Sequence, residues 1–110
     1  LLKVVADQHG RPTSCTHLAR RSLELIERGT AAIYHVTDGG QATWYEFACR
    51  IAAGTSCRIE PCESDAYSTP ALRPRYSVLD ISDVEGSLGP MPHWKGNLAE
   101  VLKLLEPAAS

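Results

Sequence analysis

Two hydrophobic periods alternate along this chain. The run LLKVVAD opens on apolar residues without a turn signal, and its β-branched pair Val4 and Val5 favours a strand. An opening in the middle of an apolar run reads as a cut through a longer protein. Pro12 closes the polar turn DQHGRPT, and Ser14 or Thr13 is placed to cap a helix whose apolar face is Leu18, Ser22, Leu25 and Ile26. Gly29 stands where a left-handed helix stop is wanted. AAIYHVT then alternates over a strand-length run, with Ile33 and Tyr34 its strongest strand formers, before the loop DGGQA. Thr43 and Glu46 have the spacing of a capping box, which predicts a helix running through Phe47 and Ile51 to Gly54.

From Thr55 to Tyr76 the pattern is irregular apart from a short strand at CRIEP, and Pro61, Pro70 and Pro74 exclude a continuous helix. A connection of roughly 20 residues without structure in a compact domain is either functional or a sign of a misread element. A further short strand follows it. Ser82 and Glu85 have the spacing of a second capping box ahead of a helix stopping at Gly89, and WKGNLAEVLKLLE places Leu98, Val101, Leu102 and Leu105 on one helical face.

The fold class is therefore α/β, helices with a few short strands and no internal repeat. A strand such as AAIYHV between two helices is half of a crossover unit, which normally joins a parallel sheet covered on both faces. The strands of such a sheet are largely missing here. Either the chain pairs its own strands in a small patch, or it is the C-terminal part of a doubly wound protein.

Length and charge narrow the function. At 110 residues the chain is one small domain or a piece of a larger one. With 11 basic and 13 acidic residues the formal charge is -2, no electrostatic case for nucleic acid or an anionic membrane surface. No run approaches the roughly 18 apolar residues of a membrane span, and the N-terminus lacks the apolar core of a signal peptide, so a soluble cytoplasmic protein is expected. Cys15, Cys49, Cys57 and Cys62 have no C-x-x-C spacing and read as reduced, mostly small packing residues. A metal shared by Cys15, His17, Cys57 and Cys62 fits no ligand spacing, and no metal site is expected.

Four segments carry a resemblance: VVADQHGRPTSCTHLA, AIYHVTDGGQATWYEFA, YSTPALRPRYSVLD and LGPMPHWKGNLAEVL. In order and spacing they resemble the C-terminal, substrate-binding part of the dTDP-4-dehydrorhamnose reductase family of extended short-chain dehydrogenases. The resemblance implies that residues 1–110 are the sugar-nucleotide-binding part, with an N-terminal dinucleotide-binding domain for NADPH or NADH absent from this chain. It also implies reduction of dTDP-4-dehydro-L-rhamnose to dTDP-L-rhamnose for cell-surface polysaccharide, with a tyrosine donating the proton and a lysine four residues on lowering its pKa. The residues four beyond Tyr34, Tyr45, Tyr67 and Tyr76 are Asp38, Cys49, Ala71 and Asp80, and no glycine-rich phosphate turn follows a strand. No catalytic or cofactor-binding residue is therefore expected in this chain, which alone supplies nucleotide-sugar binding. The alternative is a non-catalytic regulatory or interaction module of the same fold, and a homodimer is a further partner compatible with either.

The resemblance places Arg73, held between Pro70 and Pro74, at the diphosphate of a sugar nucleotide; the other reading is that it pairs with a carboxylate such as Asp80 and pins the loop. Leu72 and Ser68 stand where relatives often have arginine and proline. Gln8 resembles a turn residue facing the sugar-nucleotide cleft, where an amide both donates and accepts, although Asp7 and Gln8 also suit simple satisfaction of turn backbone. Ser77 suits a ligand or a backbone bond equally. Arg75 is expected to be solvated, and Trp44 and Trp94, at helix starts, to anchor the core. His9, His17, His35 and His93 are scattered and support no histidine-based catalytic site.

Overall fold

The computed structural model describes residues 1–29, 32–66 and 69–106. Ala31, at the head of the AAIYHVT run, and Tyr67 and Ser68 of the basic segment lie outside the described residues. The chain forms two compact units, Leu1–Arg11 with Gln41–Val78, and Pro12–Gly40 with Leu79–Ser110. Among the described residues all four short strands lie in the first unit with one α-helix, and the other three α-helices lie in the second.

In the first unit, β1 (Leu2–Val5) pairs in parallel with β4 (Ile59–Cys62), Leu2 lying opposite Ile59 and Val5 opposite Cys62. The strand expected at CRIEP is thus present, two residues further on. Pro61 is tolerated inside it because β4 has one strand neighbour and leaves its outer side free of ladder bonds. A second pair, β2 (His9–Gly10) with β3 (Ala42–Thr43), is antiparallel. Helix α2 (Trp44–Ala52) packs on β1, β3 and β4. Its capping box is formed as the spacing predicts: the Thr43 hydroxyl accepts from the Glu46 amide, and the Glu46 carboxylate accepts from the Thr43 amide.

In the second unit, Ser14 caps α1 (Cys15–Glu27) by accepting from the His17 amide, and Gly29 beyond its end has φ +67°. The face of α1 differs from the expected one. Ile26 is 73% exposed, and the inward stripe is His17, Arg21 and Leu25, spaced one helical turn apart. A polar stripe is buried because it has partners of its own, described below. The hydrophobic core joins Leu25, Ile81, Val84 and Met91, with Tyr34, Val36 and Leu88 packed against it.

Residues 32–37 of AAIYHVT do not form a strand. Its alternation is real, since Tyr34 and Val36 face the core and Ile33 is 89% exposed, but among the described residues it has no strand to pair with. The segment is instead anchored at its far end, where the Gly39 amide donates to the Pro92 carbonyl and the Gly39 carbonyl accepts from the Trp94 amide. Glycine is needed there, because a Cβ at Gly39 would lie 2.6 Å from the Met91 carbonyl oxygen. The strand expected after the long loop is likewise reduced to a single bridge, Tyr76 opposite His9.

The second capping box is not formed. Ser82 is the first residue of α3 (Ser82–Leu88) rather than its cap, and its amide donates to the Asp80 carboxylate. Glu85 reaches the other way, accepting from the Met91 amide at 2.9 Å, and so ties the turn after α3 to the core. Helix α4 (Trp94–Leu105) buries Trp94 and Leu98 and half-buries Val101 and Leu102, but Leu105 is 72% exposed, beyond the reach of the core. No described helix is long and apolar enough to cross a membrane.

Candidate functional site

The first unit contains an open cleft of about 870 Å3, within the roughly 300–1,000 Å3 typical of small-molecule sites. Strand β1 supplies Lys3, Val4 and Val5, the turn after it supplies Gln8, and α2 begins at its edge with Trp44. The remaining wall is the irregular segment, from Ser64 and Asp65 in a 3-10 turn (Ser64–Ala66) to Thr69, Pro70 and Arg73. The long connection thus has regular structure at its start and lines a cavity along its later part. Its prolines fix the backbone that carries Arg73.

Gln8 and Arg73 therefore line one cleft. Arg73 is exposed and makes no ion pair or hydrogen bond among the described residues, so its guanidinium donors are left for solvent or a ligand. Ser77 does not line the cleft; its hydroxyl donates to the His9 carbonyl at 3.1 Å and holds the 76–77 backbone to β2, the backbone role open to it from sequence. Two basic residues, Lys3 and Arg73, and one acid, Asp65, line the cavity, a balance that favours an anionic ligand.

Gln8 is oriented by a short relay. The Ser64 hydroxyl donates to Asp7 Oδ1 at 2.5 Å, so its oxygen is free only to accept, and it accepts from Gln8 Nε2 at 3.2 Å. The bond fixes which end of the Gln8 amide is the donor and leaves the amide oxygen outside that contact. Asp7 also accepts from the Ser64 amide at 3.1 Å, capping the 3-10 turn. The reading in which both residues satisfy backbone holds for Asp7, whereas Gln8 bonds a side chain. Ser64 itself carries no motif and was legible only through the fold.

The hydrogen bonds from the Ser64 hydroxyl and amide hold the Asp7 carboxyl below its ordinary value, with smaller help from Glu63 and from the charge of the exposed Arg75. A depressed carboxyl pKa stabilises the fold above the unfolded value of 3.8, and that contribution is lost as the pH falls through the lower folded value. Thermal melts of wild type between about pH 5 and pH 3 are expected to fall more steeply than those of Asp7→Asn; parallel slopes would remove Asp7 from the acid response.

Two further expectations are corrected. Trp44 is not a core anchor: it is 58% exposed, and its ring touches Phe47 edge-on at 6.3 Å, whereas Trp94 is 2% exposed and does anchor the core. Cys15 and Cys57 are exposed free thiols rather than packing residues, and Cys49 and Cys62 are half-buried free thiols. Among the described residues no group of three or more potential ligands could hold a metal ion.

The histidines do contain one buried site, which lies in the second unit. His17 Nδ1 lies 2.6 Å from Asp38 Oδ1, with the two side chains 8% and 1% exposed. Asp38 Oδ2 accepts from the Ser14 amide at 2.9 Å, and His17 Nε2 accepts from Arg21 Nε at 3.1 Å. Because Nε2 accepts, Nδ1 carries the proton donated to Asp38. Arg21 is in turn paired with Glu24 at 2.9 Å. With Nε2 covered by Arg21, the imidazole has no lone pair left for a substrate, and the group serves to bind the Asp38 turn to α1.

The residues after β1 are Ala6, Asp7 and Gln8, without the glycines of a dinucleotide-binding turn.

A cleft of this kind, on a short parallel strand pair with a basic, proline-braced wall, defines a small-molecule-binding module of α/β type. The family model described as the RmlD substrate binding domain matches residues 1–106, and the chain belongs to that family. A dTDP-4-dehydrorhamnose reductase from Streptomyces griseus is 41% identical over 106 residues, covering 88% of this chain and 35% of its own length. A dTDP-4-keto-6-deoxy-D-glucose reductase from Streptomyces niveus is 37% identical, with 93% and 37% covered. The crystal structure of a dTDP-4-dehydrorhamnose reductase from Clostridium acetobutylicum superposes with a TM-score of 0.86 at 36% identity, covering 94% of this chain and 38% of that one. That of the Bacillus anthracis enzyme, solved in complex with NADP, also gives 0.86, at 30% identity, with 93% and 37% covered. The chain thus spans little more than a third of the proteins it resembles.

Proposed function

We propose that this chain is the sugar-nucleotide-binding part of a reductase that converts dTDP-4-dehydro-L-rhamnose to dTDP-L-rhamnose. The observation that carries this reading is the cleft itself, which brings together Gln8 and Arg73 from opposite ends of the first unit's sequence. The Arg73 guanidinium, with Lys3 nearby in the same lining, suits the diphosphate, since a planar fork of donors meets phosphate oxygens in charge-assisted pairs. Gln8, oriented by Ser64, offers a donor and an acceptor of the sort that hexose hydroxyls require. Ser77 supports the cleft indirectly, through the backbone of β2.

Residues 1–110 bind and orient, and the hydride and proton transfers belong to a dinucleotide-binding part that they do not contain. NADPH or NADH would be held there, which supports an assembly of the two parts around one sugar nucleotide. Remote contacts of this type contribute to rate by holding the reacting carbon in place for a hydride donor supplied elsewhere. A nucleotide-sugar biosynthetic role implies a cytoplasmic setting.

Calorimetric titration of the protein with dTDP-L-rhamnose, and separately with free rhamnose, tests the reading. Binding of the nucleotide sugar with no detectable heat from the free sugar is expected. Equal responses, or a folded protein that takes up neither, would refute it.

A further inference from the structure

We infer that the exposed indole of Trp44 is a stacking platform for the planar base of the nucleotide, a role that rests on the cleft reading above. A large aromatic side chain left 58% exposed is unusual on a chain that buries its other tryptophan to 2%. Trp44 is also positioned: it is the first residue of α2, the capping box of Thr43 and Glu46 fixes the helix start beneath it, and the edge of Phe47 restrains its ring. It lines the same cleft as Arg73 and Gln8.

The chemistry of the lining assigns the remaining part of the ligand. Lys3 and Arg73 suit the diphosphate, and Gln8 suits hydroxyl groups. A pyrimidine is flat and weakly polar on its faces and suits an aromatic surface, which Trp44 alone among the described lining residues provides. Stacking of this kind tolerates changes of base, so the platform supplies affinity rather than discrimination between pyrimidines.

The two tryptophans make the test direct, because Trp94 is buried in the other unit and a ligand-dependent change in emission reports on Trp44. The protein, Trp44→Ala, Trp44→Phe and Arg73→Ala are titrated with dTDP and with inorganic pyrophosphate, by fluorescence and by calorimetry. Trp44→Ala is expected to weaken dTDP about tenfold, within the range of base-stacking losses on alanine substitution. Trp44→Phe should recover part of the loss, and pyrophosphate affinity should be the same with and without the indole. Wild-type dTDP affinity in Trp44→Ala, or equal weakening of dTDP and pyrophosphate, would overturn the inference. If Arg73→Ala weakens dTDP while Trp44→Ala does not, the base platform fails and the cleft reading stands; if wild type binds no dTDP, both fail.

Discussion

Asp38→Ala is expected to lower the unfolding free energy by about 3 kcal/mol, because a buried donor, His17 Nδ1, and a half-buried one, the Ser14 amide, lose their acceptor together. The Asp38 carboxylate takes the His17 Nδ1 proton on one oxygen and the Ser14 amide on the other, and it is 1% exposed, so water cannot replace it. Each orphaned donor carries a desolvation penalty of roughly 1–3 kcal/mol. A loss of this size would take a large share of the roughly 5–15 kcal/mol that a small domain has and lower its melting temperature by more than about 10 °C. Asp38→Asn keeps one acceptor oxygen and should lose about half as much. His17→Ala and Asp38→Ala should be strongly non-additive in a double-mutant cycle, since either change dissolves the same contact. Melts of Asp38→Ala within a degree or two of wild type would show that the pair is decoration on α1.

Arg73→Ala is expected to weaken dTDP-sugar binding by more than tenfold while leaving the melting temperature unchanged. The first half follows from losing charge-assisted bonds to a diphosphate, each contributing about 1.5–3 kcal/mol. The second follows from the structure, since Arg73 is exposed and has no protein partner among the described residues to leave behind. Arg73→Lys should fall between, retaining charge but not the planar fork. The outcome separates a ligand-binding arginine from the loop-pinning one also compatible with the sequence: a pinning residue would move stability and spare affinity.

Much of the local structure was legible because it is set by neighbours a few residues apart. Thr43 with Glu46, Ser14 ahead of α1 and Gly29 behind it are decided within a single helical turn, and all three take their expected roles. What failed depended on partners distant in sequence. AAIYHVT has strand alternation but no described strand beside it, and Glu85 was claimed by Met91 rather than by the start of its own helix. The polar stripe of α1 was hidden for the same reason, since His17 and Arg21 look solvent-facing until Asp38 is brought against them.

The candidate site divides along the same line. Arg73 and Gln8 were legible through resemblance, and the prolines around Arg73 through their effect on the backbone. Trp44 was misread because a tryptophan at a helix start is usually buried, and nothing in TWYEFA signals that the first turn of α2 opens onto a cleft. Ser64 was invisible because a serine gains meaning only from the two groups it connects, Asp7 and Gln8.

Amide chemical-shift mapping during a titration with dTDP-L-rhamnose locates the bound ligand on the chain residue by residue. Saturable shifts are expected to concentrate at Lys3, Gln8, Ser64, Thr69 and Arg73, which wall the cleft of the first unit. Shifts centred instead on the His17 and Asp38 region, or a spectrum unchanged at saturating ligand, would contradict it.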